Sequence, residues 1–153
     1  MNFSSFEEIL DFAIEREIQS VNFYQKLVDG EVFPASRNTL AEFVEEEKKH
    51  QHLLEDFKNG NRTVVEYKYE WIPDIKRSDY IVDMRYEPGM DFAEILRLAM
   101  KREEKALRLY NALATKTDNP DCIKLFKLLA QEEAKHKQTF ETLYDDHMAK
   151  LGD

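Results

Sequence analysis

Cysteine is almost missing from this chain of 153 residues. Cys122 stands alone, so there is no internal disulfide, and no C-x-x-C pair exists to clasp a metal or carry disulfide exchange. A reducing compartment, the cytoplasm, is the expectation. Glycine and proline number only four each, too few for an architecture dense in tight turns. Basic side chains are the minority, 22 Lys and Arg against 31 Asp and Glu, and a net charge of −9 argues against a phosphate-binding surface and so against nucleic acid as partner. Long apolar runs are also missing: no window approaches the roughly 20 residues of a membrane span. The opening "MNFSSFEEIL" has acidic residues where a secretion signal has basic ones. These absences leave a soluble protein with no membrane partner as the expectation.

What the chain has in plenty is charge, 35% Asp, Glu, Lys and Arg, together with Leu and Ala, a composition that favours helix. Its length suits one domain, residues 1–153. Four helices can be read from their ends. Ser5 followed by Glu8 predicts a capping box, and helical period then runs to Gly30. Pro34 suits the first turn of a second helix that stops near "NGN" at 59–61. Asp91 with Glu94 predicts another capping box, opening a third helix to about Thr115. Asn119 and Pro120 give an N-cap and first-turn proline for a fourth, which ends near Gly152.

The third and fourth helices repeat the first and second. A shift of 86 positions places "FEEILDFAIEREIQSVNFYQKL" on "FAEILRLAMKREEKALRLYNAL" with nine identities in 22, and Pro34 on Pro120. Amphipathic helices share a period but rarely so many identities in one register, so the chain reads as a duplicated helical pair.

Against that control, one irregularity becomes informative. The second helix carries an apolar stripe, Leu40, Phe43, Val44, Leu53, Leu54 and Phe57, interrupted by Glu47 and His50. Residues three apart share a helix face, so the carboxylate and imidazole point the same way, inward. One E-x-x-H is weak; here the shift places Glu47 on Glu133 and His50 on His136. Glu17, between Ala13, Val21 and Tyr24, falls on Glu103, between Ala99, Leu107 and Tyr110. Each helix thus carries an acidic interruption of its core stripe. In an antiparallel bundle these would meet at one level, and four desolvated carboxylates cannot stand unneutralised. Two divalent ions balance them, and oxygen-rich ligation with imidazole suits iron first, with manganese and zinc as alternatives.

A Glu on each of two helices and Glu-x-x-His on each of the other two resembles the ferritin-like di-iron carboxylate superfamily, and most nearly the rubrerythrin group. The resemblance implies an all-α, antiparallel four-helix bundle with a long crossover between the second and third helices. It implies two irons on Glu17, Glu47, His50, Glu103, Glu133 and His136, and a ferrous pair oxidised by hydrogen peroxide or dioxygen. The activity would be that of an oxidoreductase, a peroxidase or ferroxidase type serving oxidative stress or iron handling, in a homo-oligomer, a dimer first. Two departures from rubrerythrins stand out: Met100 and Ala106 flank Glu103 where that group has a further Glu, and one cysteine excludes a rubredoxin segment, so electrons would come from a separate donor protein. Bacterioferritins are similar in the same six residues, which keeps iron storage open; Lys48 replaces their haem-binding Met, so no haem is expected. A bundle that binds metal only structurally, as an interaction module, is the third reading.

Lesser features are read more plainly. Tyr24 and Tyr110 either pack in the core or hydrogen-bond to ligating carboxylates. His52 and His147 read as surface or end residues, and Glu46 and Glu132 as solvated charges or supports of the ligands. Glu104 has no counterpart in the repeat and carries no assignment. Within the connection at 61–89, Val65, Tyr67, Tyr69 and Trp71 alternate with period two, as in an extended cover over the helices or a second subunit.

Overall fold

The computed structural model describes residues 3–30, 37–61, 69, 71–72, 87 and 89–152, and every regular element among them is α-helical. The helices are α1 (Phe6–Asp29), α2 (Arg37–Lys58), α3 (Phe92–Ala114) and α4 (Pro120–Lys150). The expectations for Pro34, Val65 and Tyr67 lie outside the described residues.

Local chemistry sets the helix ends. Ser5 accepts from Glu8 N at 3.2 Å, but the Glu8 carboxylate turns to Ser4, accepting from its amide at 2.8 Å and its hydroxyl at 2.7 Å. The cap therefore spans two serines instead of closing a box on Ser5. At Asp91 the box closes: Asp91 Oδ1 accepts from Glu94 N at 2.9 Å and Glu94 Oε1 from Asp91 N at 3.5 Å. Asn119 Oδ1 accepts from the amides of Asp121 and Cys122 at 3.0 and 3.1 Å, capping α4 ahead of Pro120. Helix α2 ends in a Schellman motif, with Asn61 N to Asp56 O at 2.9 Å and Gly60 N to Phe57 O at 3.2 Å; Gly60 supplies the φ of +108°. Gly30, by contrast, leaves α1 in extended backbone at φ −79°.

The residues fall into two compact units, one built on α1 and α2 and one on α3 and most of α4. In the first, Phe6 meets Phe57, Asp11 pairs with Lys58 and Tyr24 meets Phe43, so the two helices run antiparallel. In the second, Phe92 meets His147, Arg97 donates to Tyr144 Oη and Tyr110 stacks on Phe126, again antiparallel. The register is the same in both. Adding 86 to Asp11 and Lys58 gives Arg97 and Tyr144, so an ion pair in one unit stands where a hydrogen bond stands in the other. Each unit has an apolar seam: Leu10, Ala13, Leu40, Leu54 and Phe57 in the first, Leu96, Ala99, Met100, Leu113, Phe126 and Leu129 in the second. No described helix is long and apolar enough to cross a membrane.

Tyr69 donates to Lys124 O at 3.4 Å, but it remains half exposed and Trp71 is 84% exposed. Trp71 therefore does not cover the helices of its own chain, the first of the two placements expected from the alternation.

Candidate metal centre

On α1, Glu17 follows Leu10 and Ala13 along the seam. On α2, Glu47 and His50 sit between Val44 and Leu54. Burial of the apolar neighbours therefore drags the polar residues inside: Glu17, Glu47 and His50 are 2%, 0% and 5% exposed. His50 Nδ1 stands 3.7 Å from Glu17 Oε1 and 3.7 Å from Glu47 Oε2. One ligand atom from each of the three lies within 4.8 Å of the others.

The second unit reproduces this arrangement. Glu103, Glu133 and His136 are 2%, 1% and 2% exposed, His136 Nδ1 is 3.5 Å from Glu103 Oε1, and the three residues offer donor atoms within 4.8 Å of one another. All six residues singled out by the repeat are thus buried, three converging in each unit.

These separations say what could lie between the donors. At 3.5–3.7 Å the contacts exceed the roughly 2.7–3.2 Å of a hydrogen bond. Two donors bound to one divalent ion at about 2.1 Å each are at most ~4.2 Å apart, so the observed spacing fits ligands of a shared ion. Electrostatics agree. Burial, then the charge of Glu47, pushes the Glu17 carboxyl from 4.5 up to about 8. Burial alone would lower the His50 pKa, but Glu17 and Glu47 outweigh it and hold the imidazole well above its ordinary value. Without metal, the first unit retains protons to offset its carboxylates; a cation supplies the same neutralisation.

Tyr24 and Tyr110 are both 1% exposed, and their rings pack, Tyr24 edge-on to Phe43 at 5.9 Å and Tyr110 over Phe126 at 6.1 Å. His52 is exposed; His147 is half-buried with its ring 4.7 Å from Phe92. Glu46 and Glu132 are half-buried. Sequence reasoning missed three buried charges of the second unit: Glu104, Lys137 and Glu141, 7%, 3% and 0% exposed. The repeat offered no signal for the first two, because their counterparts are Ile18 and Gln51.

A family model for rubrerythrin matches residues 4–78 and 94–152. The chain belongs to the rubrerythrin family. The solved structure of a hypothetical protein from Pyrococcus furiosus is similar, with a TM-score of 0.68 and 30% sequence identity over 93% of this chain and 89% of that one. A search of curated proteins finds no match. Rubrerythrin membership fixes the class as an all-α, ferritin-like four-helix bundle, and the buried Glu and His side chains fit a di-metal protein of that family.

Proposed function

We propose that the two ligand sets together hold a di-iron centre and that the protein is an oxidoreductase of the peroxidase or ferroxidase type. One observation carries the reading: a buried Glu, Glu, His set occurs twice, at the same register of two duplicated helical pairs. Two independent structural ions would not require four carboxylates, whereas a ferrous pair balances four Glu charges and stays exchangeable and redox-active. The chain's task is to supply Glu17, Glu47 and His50 from one unit and Glu103, Glu133 and His136 from the other, each set buried beside apolar side chains. A ferrous pair held by these residues would supply the two electrons that, with two protons, reduce hydrogen peroxide to two waters. Return to the ferrous state requires electrons from a separate donor protein.

Iron oxidation for storage is a second reading, and the flanks of Glu103 favour it: Met100, 0% exposed, and Ala106, one turn to either side, supply no counterpart of the additional carboxylate of peroxide-consuming rubrerythrins. Anaerobic loading with ferrous iron, followed by stopped-flow mixing with peroxide or dioxygen, separates the two. Fast oxidation by about one peroxide per two irons, with slow reaction toward dioxygen, supports the peroxidase. Accumulation of many irons per chain supports storage. A folded protein that binds iron yet reacts with neither oxidant leaves a structural metal module and sinks the redox reading.

A further inference from the structure

The α3/α4 pair contains a buried charge pair that its duplicate lacks. Lys137 Nζ, on α4, stands 2.6 Å from Glu104 Oε2, on α3, with side chains 4% and 9% exposed. The other oxygen of Glu104 accepts from Arg108 Nε at 2.6 Å, one turn along α3, where the arginine is 68% exposed. Each buried member directly follows a ligand residue: Glu104 follows Glu103, and Lys137 follows His136. The two interhelical contacts, His136 to Glu103 at 3.5 Å and Lys137 to Glu104 at 2.6 Å, are therefore consecutive rungs between the same helices. In α1 and α2 the equivalent positions hold Ile18 and Gln51, both half-buried, which cannot form an ion pair.

A buried ion pair is poor evidence of stability gained, because desolvation cancels much of the attraction and apolar replacements of similar volume are often neutral or better. What it does enforce is register. A rotation of α3 that swings Glu103 away from His136 carries Glu104 away from Lys137. The pair is neutral as a unit, so its effect on a nearby cation comes through position more than through its field. Outer partners that fix ligand orientation commonly change metal affinity 10–100-fold when removed.

We infer that Glu104 and Lys137 are positioning residues which lock α3 to α4 at the level of the ligands, pre-organise Glu103 and His136, and make this set bind its divalent cation more tightly than the α1/α2 set. The inference rests on the two-metal reading above. The test is anaerobic titration of apo protein with cobalt(II), followed by calorimetry and by d–d absorption, with the melting temperature of each apo variant measured alongside. Wild type should take up two ions in resolved steps. Glu104→Gln combined with Lys137→Met removes both members of the pair at nearly constant volume and without changing the net charge. That double variant should weaken the tighter step about 10-fold or more and the weaker step less, so that the two dissociation constants converge. Lys137→Arg keeps the pair and should keep the steps apart, and Ile18→Val with Gln51→Met, at the equivalent positions of the first unit, should not move their ratio.

A double variant that melts earlier but retains the wild-type ratio would show a structural role only and overturn the inference. Two equal steps in wild type overturn it as well, while leaving the two-metal reading intact. Fewer than two cobalt ions per wild-type chain overturn both.

Discussion

Stripping the metal should make the protein's stability fall as pH rises toward neutrality, opposite to the behaviour of a protein held by ionised carboxylates. Glu17 provides the magnitude. Its carboxyl is raised from 4.5 to about 8 in the folded chain, first by burial and then by Glu47. The folded state therefore binds this proton more tightly than the unfolded state does. The contribution is fully present below pH 4.5 and is lost as pH climbs through 8. At 1.36 kcal/mol per pH unit the span corresponds to ~5 kcal/mol, part of it shared with His50. His50 acts with the same sign, since its raised pKa also favours the protonated fold. For a domain of this size each kcal/mol moves the melting temperature by roughly 2–4 °C, so apo protein should lose on the order of 10 °C between pH 5 and pH 8.

Metal reverses the trend, because it binds deprotonated ligands and stabilises the fold by RT ln(1 + [L]/Kd), a quantity that grows as protons leave. Calorimetric melts of apo and iron- or cobalt-loaded protein at pH 5, 6, 7 and 8 should diverge steadily. Glu17→Gln, close in shape to the protonated carboxyl, should flatten the apo profile. An apo melting temperature that is constant or rises from pH 5 to pH 8 would refute the argument, because a carboxylate as buried as Glu17 could then ionise at no cost. The window stops at pH 5 because exposed groups oppose the trend below it: the Ser4 amide holds the Glu8 carboxyl under its ordinary pKa, so its contribution is lost on acidification.

Two further outcomes are expected. Glu47→Ala and Glu133→Ala remove ligands from different units; if both units serve one centre, either change should impair both ions and the double variant should be scarcely worse, whereas one undisturbed tight iron in either single variant would disprove the shared centre. Gly60→Ala should cost about 1–2 kcal/mol in urea unfolding through backbone strain alone, since φ is +108° and no atom lies within 4 Å of the added methyl; an unchanged midpoint would count against the Schellman geometry.

The helix ends and the six candidate ligands were legible for different reasons. Caps are local: Asp91 and Glu94 are three residues apart, and their two bonds depend on little else. Even so, two adjacent serines compete for Glu8, and the pattern S-x-x-E cannot say that the carboxylate will choose Ser4. The burial of the six candidates was legible because duplication supplies a comparison within one chain. An apolar stripe makes a buried Glu conspicuous, and finding it twice in one register removes chance as the explanation. Gly30 shows the limit of such rules, for a glycine after a helix permits left-handed backbone without requiring it, and here the chain leaves extended.

Glu104 and Lys137 fail both criteria. Each lies one residue beyond a ligand, about 100° around its helix, where an amphipathic pattern accepts a charge without comment. Their burial depends on a partner 33 positions away in sequence, so no window of one helix reveals it. The repeat, so useful for the ligands, works against them, because Ile18 and Gln51 make the charges look like drift on a solvated face. Duplication reports what the two halves have kept in common. Where the halves have diverged at buried positions it is silent, and only the fold can show that an isoleucine and a glutamine on one side correspond to a desolvated ion pair on the other. On the inference drawn above, two candidate ligand sets alike in composition differ in the side chains beside them, and the expected difference in metal affinity would follow from residues outside both sets.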